Sequence, residues 1–439
     1  MLMLRRSLLA LAPALVVARP ALARRFRFGG GSSGPPGRFN SIDLGTAFKY
    51  NSHYSDATPK YVMSDVWAST WASDNNTYAV NDDSLGWNGS TPTSNEEISW
   101  LDLTNDWSTF SAATIPTTLT GGSVNKMTQW GTITQVSTTD NHFYKAMGII
   151  AINGTLYATA ARQTAPWQAN VLTCTGNQCL QTSQNMQIIK SNSNPLGATW
   201  TPTPTATAEP YTTNGTGPGG GPMFSGIENS TLWFVQYDTK DYAAHAVDID
   251  NSNTYVYAVS TDGFWNNGNV MILGRCKITD MPALDATKWS YYKGSVTAGD
   301  NSGMLDPNWG TWAQAVPLLS QTLKIGTNGI QWLPAFGCYI FINWWYPSVA
   351  NNVRPGFLDE STIQWDVYQS TRLWGPWTFV KSQIWNSEPG KGLYNPNIIP
   401  RSVTKDGGRT VVITSAGMST NQNPNGGDYT LTANVATIS

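Results

Sequence analysis

Along most of the chain apolar and polar positions alternate with a period of two, and runs at a helical period are nearly absent. Short stretches rich in Val, Ile, Thr and aromatic residues are separated by Asn, Gly, Asp and Ser, the residues that tight turns require. The pattern predicts an all-β fold. Its clearest instance is Val66–Trp71 as a strand, Asp74-Asn75-Asn76 as a turn and Thr77–Val80 as the returning strand. The same spacing recurs at Tyr144–Ile152, Asn153-Gly154 and Thr155–Ala158, and at Pro222–Ile227, Glu228-Asn229 and Ser230–Val235. It returns at Gly329–Ala335, Phe336-Gly337 and Cys338–Ile342, and at Tyr394–Pro400, Lys405–Gly408 and Arg409–Ile413. After each hairpin except the last, a tryptophan opens a further strand: Trp107, Trp200, Trp289 and Trp377. These units run to roughly 60–90 residues each, which suits a single β-propeller of about five blades over residues 40–439. A sandwich gives no reason for such recurrence. A seven-bladed ring would need two more blades, around residues 115–140 and 245–300.

Composition narrows the ligands. Charged residues are only 12% of the chain, about half the usual share, so its polar surface comes from Asn, Thr, Ser, Gly and Gln. With 20 Trp beside those amides and hydroxyls, the surface suits neutral, hydroxyl-rich ligands. The formal net charge is -2, and beyond Arg24–Arg27 no basic cluster follows a phosphate backbone, so nucleic acid is not an expected partner.

The first 23 residues, MLMLRRSLLALAPALVVARPALA, read as a basic start, an apolar run and an A-x-A cleavage signal at Ala21-Leu22-Ala23. Arg5-Arg6 leaves twin-arginine export open beside an ordinary secretory signal. Residues 24–39, rich in Gly, Pro, Ser and Arg, read as a disordered lead-in. No later stretch is apolar for long enough to span a bilayer, so the expected product is a secreted or periplasmic monomer without a membrane span. Cys174 and Cys179 enclose a turn sequence and are expected to form a hairpin disulfide. Cys276 and Cys338 lie in apolar runs, either as buried thiols or as a bridge. With three His in the chain and no Cys/His spacing for zinc, no cofactor is expected; a structural Ca2+ held by carboxylates and carbonyls on the axis stays compatible.

Four segments carry a more specific likeness: SDVWASTWASDNNTYAVNDD (64–83), YKAMGIIAINGTLYA (144–158), LWGPWTFV (373–380) and YNPNIIPRSVTKDGGRTVVITSAG (394–417). They resemble an exported five-bladed β-propeller family, formerly of unknown function, linked to endo-D-arabinanase-type glycoside hydrolases. The resemblance implies two acidic site residues, one before the first inner strand and one at the end of the second, which fall here on Asp65 and Asp83. The family's usual Gly-Asp-Gly or Gly-Asp-Thr ending is replaced by Asp82-Asp83-Ser84, which leaves Asp82 and Asp83 both in play.

The chemistry agrees with that implication. Glycosidic cleavage commonly uses one carboxyl group to protonate the leaving oxygen and another to activate water or attack carbon. In a propeller the open ends of the inner strands converge on one axial pocket. Asp74 reads as a turn cap and Glu228, at a turn apex, is set aside. Lys145 lies before the second inner strand, either as a substrate clamp or as a solvated lysine, with His142 and Tyr144 beside it. Those three support a rival reading, a polysaccharide lyase with a His or Tyr base and a cationic clamp for a uronate. Tyr394 and Asn395, with Asn397, open the last inner strand and would contact sugar or cap turns. Phe264–Asn267 and Asn343–Tyr346 are aromatic-amide clusters in which Trp265 and Trp344 would stack on sugar rings, the basis of a third, non-catalytic glycan-binding reading. The expected partner in all three is an extracellular polysaccharide or oligosaccharide.

Overall fold

A computed structural model describes residues 37–46, 48–49, 63–86, 96–102, 120–126, 142–164, 182–194, 196–201, 223–242, 248–297, 305–347, 362–385, 393–419 and 428–439. The alternating pattern becomes five antiparallel sheets among these residues, and helical structure is confined to short 3-10 turns such as Met281–Ala283 and Pro400–Lys405. We number the sheets as blades one to five in chain order. Their innermost strands are Met63–Trp71, His142–Ile152, Trp233–Phe234, Ile330–Leu333 and Leu393–Ile398.

Hydrogen bonds link neighbouring blades in a closed circuit. The Ala151 amide donates to Thr70 Oγ1 (3.0 Å), joining blades one and two, and Thr159 Oγ1 donates to the Leu232 carbonyl (3.0 Å), joining two and three. The Gln236 amide donates to Ile330 O (2.8 Å), joining three and four. Trp365 Nε1 donates to Leu393 O (2.6 Å), joining four and five, and Asn397 Nδ2 donates to Ser69 Oγ (2.9 Å), joining five and one. The molecule is an all-β propeller. Blade five is completed by the short strand Ile42–Asp43, which pairs with Ile438 and Thr437 of the strand Asp428–Ile438. Blade three is the largest, with six strands.

The tryptophan-rich core lies between blades, where Trp67, Trp233, Trp344 and Trp365 are fully buried. Where blades press together no side chain fits: a Cβ on Gly148 would lie 2.6 Å from Leu232 O, and one on Gly326 2.2 Å from Trp344 O. Cys276 and Cys338 are free, buried thiols. Cys174 and Cys179 lie outside the described residues.

Two sequence expectations need correction. The third hairpin is not a hairpin. Glu228-Asn229 is a turn, but it connects blades: Phe224 bridges to Met186 of blade two, while Trp233–Phe234 pairs with the strand Tyr255–Thr261. A turn between two apolar runs looks alike in sequence whether it reverses a strand or passes to the next sheet. Of the expected disordered lead-in, residues 24–36 lie outside the described residues, while its last residue is ordered. Phe39 is buried and held at both backbone groups by Gln369, with Phe39 N donating to Oε1 (2.9 Å) and Nε2 donating to Phe39 O (2.8 Å). An apolar ring able to cover the end of blade four outweighs the entropy of a Gly/Pro-rich neighbour.

Candidate active site at the mouth of the inner strands

Three inner strands carry the same irregularity near their starts. In blade one Asp65 pairs with Asp82 and Ala68 with Val80; in blade two Ala146 pairs with Ala160 and Ile149 with Ala158. In blade five Tyr394 pairs with Ala416 and Asn397 with Thr414. Each strand inserts one extra residue against its partner, a β-bulge. The backbone pays for this with left-handed residues: Val66 at φ 75, Trp67 at φ 48 and Asn395 at φ 49. Asn tolerates that region, but a β-branched Val there is an outlier that surrounding structure must hold in place. Val66 and Trp67 are both fully buried, which supplies that hold.

The bulge decides which aspartates meet. An uninterrupted ladder from the Ala68–Val80 pair would set position 65 across from Asp83; with the bulge it lies across from Asp82. Asp82 in turn pairs with Glu96 on the third strand of the blade, a position that sequence reasoning missed. Three acidic positions therefore stand side by side in one row at the open end of blade one. Cα atoms paired across antiparallel strands lie about 4.5–5.5 Å apart. The bulges also set the comparison between blades: Asp65 corresponds to Ala146 and Tyr394, so Lys145 matches Ser64 rather than Asp65. His142 and Tyr144 open the same blade-two strand, paired with Thr164 and Arg162.

Lys145 is buried, 5% exposed, rather than solvated. Tyr394 is buried with its ring 5.7 Å from that of Trp344. Asn395 is fully buried, and neither of its amide atoms has a hydrogen-bond partner among the described residues. Asn397 ties blade five to blade one through Ser69 Oγ and the Trp67 carbonyl.

The aromatic-amide clusters are core, contrary to their reading as sugar platforms. Trp344 is 0% exposed, donates Nε1 to Thr327 O (2.7 Å) and meets the Trp265 ring edge-on at 6.5 Å. Asn267 spends its amide on the carbonyls of Leu323 (2.8 Å) and Tyr346 (2.9 Å), and accepts from Tyr346 N (3.1 Å). Asn343 does the same for Lys324 O (2.6 Å) and Gly326 N (3.0 Å). These amides satisfy backbone groups where blades three and four meet, and Trp265 and Trp344 are both buried.

Asp74 and Glu228 have structural partners. Asp74 accepts from Asn76 N (3.0 Å) and the Tyr78 hydroxyl (2.6 Å), and Glu228 accepts from the Tyr291 hydroxyl (2.7 Å). Among the described residues no helix is long and apolar enough to cross a membrane.

No family model matches the chain, and no curated protein does. Solved structures that it is similar to include a GH62 hydrolase in complex with xylotriose, at 9% identity over 89% of this chain and 98% of that one, with a TM-score of 0.40. Bacillus subtilis levansucrase matches at 10% identity over 89% of this chain and 90% of that chain, TM-score 0.40. A GH43 protein of Bacillus licheniformis matches at 11% identity over 88% of this chain and 54% of that one, TM-score 0.41.

Proposed function

We propose that the protein is an exported glycoside hydrolase that cleaves an extracellular polysaccharide with paired carboxylates at the mouth of the propeller. The observation that carries this is the bulge-set row Asp65–Asp82–Glu96 at the open end of the first inner hairpin. Like charges directly opposite one another destabilise a sheet, so a row of three is retained at a cost. Glycoside hydrolysis needs two neighbouring carboxyl groups, a general acid beside a base or nucleophile. Asp65 is the first member of the pair. Its partner is Asp82 by register, with Asp83, the residue that the family resemblance indicates, one position further along the same strand.

The reading is tested by digesting a panel of plant and bacterial polysaccharides and following new reducing ends and ultraviolet absorbance together. A hydrolase releases reducing ends without a chromophore. A lyase acting through His142, Tyr144 and Lys145 would produce an unsaturated uronide that absorbs. A binding module would do neither; Trp265 and Trp344, the platforms which that alternative named, are buried.

A further inference from the structure

Deeper in the fold, side-chain amides from blades three, four and five meet. Gln236, from blade three, donates Nε2 to Ile149 O of blade two (2.8 Å) and accepts at Oε1 from Thr70 Oγ1 of blade one (3.3 Å). Its backbone pairs with Ile330 and Trp332 of blade four at 2.8 and 2.9 Å. One residue thus touches three other blades, and it lines a small cavity with Asn328 and Gln331 of blade four and Asn397 of blade five. The cavity has room for about one water-sized molecule.

A donor and acceptor inventory defines what fits there. Asn328 Nδ2 donates to Ile342 O (2.6 Å) and to Pro396 O, and its Oδ1 accepts from Gly329 N (2.8 Å). Asn397 Nδ2 serves Ser69 and Trp67, and Gln331 Nε2 donates to Trp332 O (2.9 Å). Every lining amide already has its NH2 group engaged. Gln331 Oε1, on a residue 3% exposed, is a buried acceptor without a partner among the described residues. The isoleucines that complete the wall, Ile330, Ile340 and Ile342 among them, offer no polar side-chain atom.

We propose that this cavity is a binding site for a single water-sized guest that gives hydrogen bonds or positive charge and receives none: an ordered water or a monovalent cation. A divalent ion is a poor match, because none of the cavity's lining residues carries a carboxylate to offset the cost of dehydration.

The test is a crystal structure of the full chain at about 1.2 Å, a resolution at which ordered waters and ions are distinguishable, with a second crystal grown in rubidium chloride. A peak within hydrogen-bonding or coordination distance of Gln331 Oε1 is expected, and it should vanish in Gln331→Leu. Anomalous scattering from that peak in the rubidium crystal identifies a cation, and its absence there identifies water. A cavity with no peak in either crystal, or a peak that persists unchanged in Gln331→Leu, overturns the proposal. Polysaccharide turnover does not enter this readout, so the site stands or falls separately from the hydrolase assignment.

Discussion

Trp344 shows how a single residue is misread from sequence. An Asn-Trp-Trp-Tyr run that does not repeat from blade to blade suggests ligand contact, yet Trp344 packs against Trp265, Tyr346 and Tyr394 with its indole nitrogen satisfied. Position in the contact network, which sequence does not display, decides the role. Trp344→Ala should therefore cost about 3–5 kcal/mol of stability, the range for emptying a large aromatic site, measured by chemical denaturation. A ligand-facing Trp would lose affinity and leave stability alone. Asp74 tells the opposite story, since its role as a turn cap was legible from Asp-Asn-Asn alone. The structure adds the short bond from the Tyr78 hydroxyl, and burial together with that carboxylate pushes the phenol well above its ordinary range. Asp74→Asn keeps the turn but loses a charge-assisted bond, so we expect a loss of about 1–2 kcal/mol with turnover unchanged. A melting temperature equal to wild type would show that the amide replaces the carboxylate fully.

At the scale of elements, four of five hairpins were visible in the alternation because turn chemistry and period two coincide there. Of the four Trp landmarks, Trp289 opens an outer strand and Trp377 and Trp200 stand one residue before an outer pairing, while Trp107 lies outside the described residues. What sequence does not reveal is register. One inserted residue exchanges Asp83 for Asp82 opposite Asp65, and nothing in Val66-Trp67 announces a left-handed bulge. The equivalent bulge at Asn395 is half legible, because Asn accepts φ 49 and Pro396 follows it. Blade spacing is equally hidden. Gly148 sits where blade two meets Leu232 and Trp233, and its amide donates to Thr159 Oγ1 (2.7 Å). Gly148→Ala should force the two blades apart and cost about 1–3 kcal/mol, the usual range for overpacking. Urea titration with an unchanged midpoint would show that the interface yields freely.

The whole molecule has an alkaline limit set by what it buries. Desolvation pushes Cys276, Cys338, Tyr157 and Tyr368 each up to about 12. A folded-state value raised above the unfolded one means that the native protein binds more protons in between. Their contribution is complete below pH 9 and is lost as pH climbs from about 9 towards 12. The melting temperature should fall across that window, and a thiol reagent at pH 8 should leave both thiols untouched until denaturant is added. Flat melting temperatures to pH 11, or rapid native labelling, would contradict their burial. The central claim is more demanding, since it joins this closed propeller to one reaction at one rim. Its most direct measurement is kcat/KM of wild type, Asp65→Asn, Asp82→Asn and Asp83→Asn on whichever polysaccharide of the panel yields reducing ends. The account predicts losses on the order of 10²-fold or more for Asp65→Asn and Asp82→Asn, a smaller loss for Asp83→Asn, and melting temperatures no lower than wild type for Asp65→Asn and Asp82→Asn, where the change relieves like-charge repulsion across the row. Full turnover in Asp65→Asn would contradict it.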